Sequence, residues 1–432
     1  MNVIERYFGI DGRNTTIKTE ILAGLTTFLT MAYIIFVNPD MLAKAGMDKG
    51  AVFVATCLAS ALGCFLMGLI ARLPVALAPG MGLNAFFTFT VVLGMGKSWQ
   101  VALGAVFISG LLFVLISAFK LREWIINAIP YTLKQGIVAG IGAFLAFIAL
   151  KSSGIIVASP ATFVTMGKLT DFGPAMAILS FFLIVVFVQR KVPAAVMLSI
   201  LIVTVISLLA GETHYSGIVS MPPSIAPTFM QLDIAGALDV SMVSVIFAFL
   251  FVVLFDTSGT LIGVTKKAGL MSTDGQIPNL GKALFADSTA AVAGSVLGTS
   301  SVTSYVESTA GVAAGGRTGL TAIVVGVLFL LALFFAPLAG MIPAYATAGA
   351  IFYVAVLMLF TLREIDWDDL TEASPVAVVL LLTPLTFSIA DGIALGFITY
   401  TIAKLVSGRY KEVSPAVWVL TVILLAKLIF LS

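Results

Sequence analysis

The stretch Gly298–Gly316 reads GTSSVTSYVESTAGVAAGG. It sets one carboxylate, Glu307, among hydroxyls and small residues, with apolar runs on both sides. An uninterrupted helical crossing of a bilayer takes about 20 mostly apolar residues, and this segment is too polar and too short for one. Broken backbone at membrane depth leaves unpaired N–H groups, tolerated only where protein buries them or where they line a cavity. The stretch thus predicts an interrupted helix with an ionisable group beside a cavity. Thr299, Ser300, Ser301, Thr303 and Ser304 offer hydroxyls ahead of Glu307, and a half-helix N-terminus there carries partial positive charge. The competing reading is a polar hinge that only packs.

The surrounding composition makes membrane depth the right frame. Of 432 residues, 60% are hydrophobic and only 10% are charged. No soluble fold buries so much apolar surface behind so few charges, so the expected class is an all-α polytopic membrane protein. A net charge of +2 gives no ground for nucleic-acid binding. Cys57 and Cys64 lie seven residues, or about 10 Å, apart along a helix, too far for a disulfide, and read as small buried residues. With one histidine, His214, in a loop, no metal site and no cofactor is expected. The charged N-terminus runs into the first span with no cleavable signal expected.

Apolar runs place spans near 22–38, 51–70, 80–93, 99–119, 134–150, 174–189, 192–210, 243–265, 284–298, 302–314, 318–338, 345–361, 374–389 and 391–407, with a further apolar segment at 415–431. A cytoplasmic N-terminus puts seventeen of the 23 basic residues inside, among them Arg13, Arg72, Lys120, Arg122, Lys266, Arg317 and Lys404. Five, including Lys44 and Lys151, fall outside. That asymmetry is what the positive-inside rule expects of fourteen spans. Whether 415–431 crosses or lies on the membrane stays open. Fourteen divides into seven and seven, and an odd number per half inverts the second half against the first. The third segment, LAPGMGLNAFFTFTVV (77–92), is short, Gly/Pro-broken and carries Asn84. Its counterpart in the second half is the opening stretch, and such a pair points to a site at the midplane.

Few other polar groups sit in the apolar runs. Asp256 lies deep in FLFVVLFDTSGTLIGVTKK (249–267), followed by Thr257, Ser258, Gly259 and Thr260. A carboxylate at that depth costs roughly 2.5–3.5 kcal/mol on insertion scales, which marks it as a site candidate. Its alternative is a structural carboxylate bonded to a neighbouring helix. Asn84 reads as site-lining or as interhelical glue. Asp287 is placed near the inner surface as a helix-end or salt-bridge residue, Asp391 as a turn and cap, and Arg317 as an inner-surface anchor. The acidic run REIDWDDLTEAS (363–374) reads as a solvated connector. Two acids and an amide, with no basic residue near the midplane, suit a neutral ligand with N–H donors or a cation. Phe86, Phe87 and Phe89 beside Asn84, and Tyr305 beside Glu307, add flat apolar faces for an aromatic heterocycle. A buried carboxylate can also carry a proton across.

Four motifs, GLTTFLTMAYIIFVNP (24–39), LAPGMGLNAFF (77–87), FDTSGTLIGVTKKAGL (255–270) and GTSSVTSYVESTAGVAAGGRTGLTA (298–322), resemble the AzgA-like purine permeases of the nucleobase–cation symporter-2 superfamily. The resemblance runs nearly end to end. It implies a uracil-permease-type fold of fourteen spans in two inverted sevens, with short extended pieces in spans 3 and 10. It implies a core domain from residues 1–130 and 236–340, and a gate domain from 131–235 and 341–432. The family's acids of spans 8 and 10 match Asp256 and Glu307, which makes them the substrate-holding and proton-coupling residues, and its span-10 aromatic matches Tyr305. With Asn84, Phe86, Thr257, Ser301 and Thr303, these form the expected substrate site. Asp256 departs from the uracil-type pattern, which has a Glu there, and leaves more room for a two-ring base. PGMGLNAFF and FDTSGTLIGV lean toward the guanine/hypoxanthine branch over the adenine branch. The implied activity is proton-coupled purine uptake in the inner or plasma membrane, N-terminus cytoplasmic. The implied partners are a purine base, protons and lipid, with a homodimer allowed. Alternatives are an adenine or xanthine/urate carrier of the same fold and, from another class, a membrane-embedded hydrolase.

Overall fold

A computed structural model describes residues 3–13, 15–118, 130–271 and 277–430. Lys120 and Arg122, counted above as inner-side cations, lie outside these residues. Helices dominate because long apolar runs can satisfy their backbone only internally. The first half holds α1 (Val3–Phe8), α2 (Ile17–Met31), α3 (Ile34–Ala43) and α4 (Lys49–Leu66), the last continued by a π-helical turn, Met67–Ala71. Strand β1 (Leu77–Pro79) then leads into α5 (Met81–Ala85), which runs on as a π-helix over Phe86–Gly94. Next come α6 (Trp99–Ala118), α7 (Tyr131–Ser152), the hairpin β2 (Ile156–Ser159) and β3 (Phe163–Met166), α8 (Phe172–Gln189), α9 (Ala195–Leu209) and α10 (Ile234–Ala237).

The second half repeats the beginning of this order. Two long helices, α11 (Val240–Lys267) and α12 (Leu280–Leu297), precede strand β4 (Val302–Ser304) and the short α13 (Ser308–Ala313). After them run α14 (Gly319–Ala332), α15 (Ala336–Met341), α16 (Ala344–Leu359), α17 (Leu370–Leu385), α18 (Ile389–Val406) and α19 (Pro415–Phe430). Polar side chains cap several starts: Asp48 accepts from the Ala51 amide, Asp239 from Ser241, Asp369 from Thr371 and Ser388 from Asp391. Among the described residues, nine helices are long and apolar enough to cross a membrane. Large apolar side chains such as Phe182, Leu209, Leu331, Leu381 and Val422 are exposed on the outside, where hydrocarbon replaces water.

Some boundaries differ from the sequence reading. The helix expected at 284–298 begins at Leu280, and that expected at 374–389 runs from Leu370 to Leu385. The acidic connector is thus largely drawn into structure, through the Asp369 cap and through Glu372. Lys404, read as an inner-loop cation, is fully buried near the end of α18 and is paired with Glu372 at 2.5 Å and Glu412 at 2.9 Å. Beside it, Arg409 bridges Asp369 at 2.5 Å and Glu412 at 2.7 Å.

Two packed groups emerge. Helices α2, α4 and α6 pack mainly against α11, α12, α13 and α14, while α7, α8 and α9 pack against α16, α17 and α18. Contacts between the groups are thin, chiefly α5 and α11 on α7, α11 on α18, and α2 on α9. The segment that joins the two halves of the first group is a two-stranded antiparallel pair. Leu77 faces Ser304, Ala78 faces Thr303 and Pro79 faces Val302. The Gly80 amide donates to Ser301 O at 3.0 Å, and the Tyr305 amide to Ala76 O at 2.9 Å. Strand edges buried in a membrane protein need other partners. Ser308 Oγ accepts from the Ala76 amide at 2.9 Å, and Cys64 Sγ from the Leu77 amide at 3.3 Å. Cys57 and Cys64 are free and buried, as small core residues.

Candidate functional site

Pro79 removes a donor, and Gly80, where a Cβ would lie 2.8 Å from the Thr303 methyl, lets the strands approach closely as β1 passes straight into the N-terminus of α5. On the other side, β4 passes through Tyr305 and Val306 into α13, with Glu307 at the N-cap position. Antiparallel pairing brings these two helix starts to the same place from opposite ends of the chain. Glu307 is only partly buried and accepts a hydrogen bond from Tyr33 Oη at 2.8 Å. Tyr33 stands at the break between α2 and α3, a position from which its ring is buried and its hydroxyl reaches the second half of the chain. Tyr305 Oη donates to Pro79 O at 2.6 Å, locking the aromatic across the strand pair.

Asp256 projects from the middle of α11 and is likewise partly open. The Thr303 hydroxyl faces its carboxylate, and Asp287 and Glu307 lie within electrostatic reach. Thr257, its neighbour, is sealed from solvent. The Thr257 hydroxyl donates to Asp287 Oδ2 at 2.7 Å and lies 3.0 Å from Thr303 Oγ1. Ser304 Oγ donates to the other oxygen, Asp287 Oδ1, at 2.7 Å. Asp287 is therefore not a surface helix-end residue: α12 begins four residues earlier than the sequence reading had it, and its seventh-residue step puts Asp287 two turns inside, fully buried. Tyr353 of α16 lies within electrostatic reach of Glu307 from the other helix group.

The remaining candidates divide. Asn84 is fully buried on α5, and neither Nδ2 nor Oδ1 has a protein partner. Such an amide is costly to leave unpaired, which favours a ligand or water over interhelical glue. Phe86 is buried and packs edge-on against Phe249 of α11, with ring centroids 4.9 Å apart. Phe87 is buried too, and Phe89 meets Phe387 at 6.1 Å. Ser301 contributes its carbonyl to the strand pair, while Thr257 and Thr303 spend their hydroxyls on each other and on acids. Arg317 holds the end of α13: its guanidinium donates to Val312 O and Gly316 O, and its amide to the buried Glu20 at 2.9 Å. No group of three or more His, Cys, Asp or Glu side chains among the described residues is arranged to hold a metal.

Sequence reasoning missed Tyr33, Tyr353 and Glu20, and it misplaced Asp287. The motif containing Tyr33 was singled out, but nothing in it marks a hydroxyl that bonds 274 residues away. The signal for Asp287 was the mismatch between a carboxylate and the apolar helix around it.

The model of the Permease family covers residues 18–425. Adenine permease AdeP of Escherichia coli is 50% identical over 430 residues, spanning 100% of this chain and 97% of that one. Guanine/hypoxanthine permease PbuG of Bacillus subtilis is 48% identical, spanning 99% of this chain and 100% of that one. Among solved structures, the transmembrane domain of a cyanobacterial bicarbonate transporter, BicA, matches with a TM-score of 0.64 at 17% identity, covering 86% of this chain and 96% of that one; the likeness is one of fold. Broken helices meeting at an antiparallel strand pair, a membrane-spanning composition and near-half identity over whole chains lead to one assignment: this chain belongs to the nucleobase permease family of the nucleobase–cation symporter-2 superfamily, and is a multi-pass transporter rather than an enzyme.

Proposed function

We propose that the chain imports purine bases, guanine and hypoxanthine first, coupled to protons. The observation that carries this reading is that Asp256 and Glu307 lie within electrostatic reach of each other beside the β1–β4 pair, with the unpartnered Asn84 amide buried on the helix that follows β1. The groups acting on the two acids are other acids, hydroxyls and a tyrosine, which suits a ring rich in N–H donors and disfavours an anion. In this reading Asp256 and Glu307 accept from ring N–H groups, Asn84 matches a donor–acceptor edge, and Phe86 and Tyr305 supply flat walls. Thr257, Ser301 and Thr303 hold the site in shape from behind.

The transport cycle follows from the two helix groups. Residues 1–130 and 236–340 form the core that carries the site, and 131–235 with 341–432 form the gate. Fourteen crossings in two inverted sevens, with the N-terminus cytoplasmic in the inner or plasma membrane, place the strand pair near the midplane. Thin contacts between the groups let one move against the other, exposing the acids to each side in turn. Purified protein in liposomes should concentrate radiolabelled hypoxanthine when the outside is acid. Uptake indifferent to the proton gradient would reject the coupling. A second reading, adenine as substrate, is favoured by the 50% identity to an adenine permease, against 48% to a guanine/hypoxanthine permease. Competition by guanine, hypoxanthine, adenine, xanthine and uracil decides between them.

A further inference from the structure

The chain crosses between the two helix groups at three places. One crossing, 119–129, lies outside the described residues. The others are 210–233, from α9 to α10, and Ile342–Pro343, from α15 to α16. Hydrogen bonds fix where each changes sides. The Glu212 amide donates to Ser207 O of α9 at 3.0 Å, and Thr213 Oγ1 lies 2.7 Å from Ser207 Oγ, which also bonds the Tyr345 hydroxyl of α16. Up to Thr213 the chain is therefore tied to the group of α9 and α16. From Ser216 on it is tied to the other group. The Ser216 amide donates to Met341 Sδ at 3.2 Å, at the end of α15, which packs on α3 and α4. The Ser220 amide donates to Phe334 O at 2.9 Å, the Met230 amide to Val296 O at 2.8 Å and the Asp233 amide to Gln100 O at 2.9 Å. His214 and Tyr215, both exposed, stand between the two attachments. On the second crossing, Ile342 and Pro343 separate Met341 from α16, and the proline keeps that link extended and stiff. The Ser216–Met341 contact thus sets the two crossings side by side.

We propose that these paired crossings are a pivot: the two groups turn about the Ser216–Met341 contact, with His214–Tyr215 and Ile342–Pro343 as its hinges. The proposal rests on the reading above in which the groups move against each other. Bodies joined at one place by short links turn about it rather than slide, and a few loop residues absorb the change in φ and ψ. Displacement then grows with distance from the joint. Met358 lies fifteen residues, or about 22 Å, along α16 from Pro343. There the groups touch closely: a Cβ built on Gly82 of α5 would lie 3.9 Å from Met358 Cε and 2.6 Å from Ile141 Cγ2 of α7. A turn of about 15°, the size of a documented subunit rotation, moves that contact by about 6 Å, enough to part it. Tyr353, five residues nearer the joint, shifts against Glu307 in the same turn. Contacts at the joint itself stay as they are.

Two measurements on full-length protein in liposomes test this. Gly82→Cys with Ile141→Cys, whose Cβ atoms would lie 3.9 Å apart, forms a disulfide across the distant contact. Oxidised, this protein should lose about tenfold or more in purine uptake and regain it on reduction. Spin labels then measure distances with and without the purine that the protein takes up. One pair brackets the joint, Leu209→Cys with Met221→Cys, and both sites are exposed. The other pair, Gln189→Cys with Lys282→Cys, lies far from it: Gln189 is seventeen residues, or about 25 Å, along α8 from Phe172, whose ring meets Tyr345. The distant pair should shift or broaden by about 5 Å or more, and the near pair by less than about 2 Å. Equal shifts at both pairs, a larger shift at the near pair or none at the distant pair overturn the pivot. Uptake that survives the disulfide overturns the parent reading instead.

Discussion

Replacing Gly311 with alanine should disable transport by moving Glu307 rather than by touching it. Gly311 sits on α13 four residues, about one turn, after Glu307. A Cβ at this position would lie 2.0 Å from Thr27 Oγ1 and 2.5 Å from the Ala23 carbonyl oxygen, both on α2. Rotating Thr27 relieves the first clash. The second is with helix backbone, so α13 must retreat by about 1 Å to reach an ordinary contact, an overpacking that costs roughly 1–3 kcal/mol. The same 1 Å displaces Glu307 from the strand pair and from Tyr33, and a misplacement of that size at a reacting or binding group costs on the order of 100-fold. Purine uptake in liposomes and melting of the purified protein measure the two effects together: uptake falls about 100-fold while the melting temperature drops by only a few degrees. Gly263→Ala on α11 is the control, because nothing lies within 4 Å of its added Cβ. It should keep uptake and shift stability by less than about 1 kcal/mol. Wild-type uptake and melting in Gly311→Ala would refute the close approach of α13 to α2.

Three further outcomes follow from other contacts. Tyr33→Phe removes one charge-assisted hydrogen bond from Glu307, worth about 1.5–3 kcal/mol, so the KM for purine should rise roughly 10–100-fold with the melting temperature nearly unchanged. Near the end of α18, hydrogen bonds from Arg409 hold Asp369 well below the usual carboxylate range, and bonds from Arg409 and Lys404 bring Glu412 down to about 2. Both acids stay charged to lower pH in the folded chain than in the unfolded one. Their contribution to stability is therefore complete above roughly pH 5 and is lost as pH falls toward 2; melting scans in detergent should show that loss, and Arg409→Gln should flatten it. Cys57 and Cys64 are buried and should resist a membrane-permeant maleimide until the protein is unfolded, as read by intact mass; labelling of the native protein would contradict the packing of α4.

What the sequence made legible was chemistry tied to local pattern. Pro79–Gly80 and the hydroxyl run Ser300–Ser304 stand out from apolar helix without any alignment, and Asp256 is conspicuous in the unbroken apolar run before it. The illegible part is contact between distant segments. Asp287 was assigned to the inner surface because the apolar run was taken to start at residue 284; the extra turn from Leu280 carries Lys282 and reads as loop by hydropathy. Its two donors, Thr257 and Ser304, come from separate elements, so no window of sequence contains the set. Lys404 misled in the same way, since a basic residue at a helix end ordinarily faces water, and here Glu372 and Glu412 close over it. The near-equal identities to adenine and guanine/hypoxanthine permeases leave the choice of branch to a transport measurement rather than to overall likeness.

A density map of the purified protein soaked with hypoxanthine would test the central claim most directly. The account predicts a flat ring beside the β1–β4 pair, with its N–H groups within about 3 Å of both Asp256 and Glu307 and its edge on Asn84. A ring seated elsewhere, with either acid left facing protein or solvent alone, would contradict it.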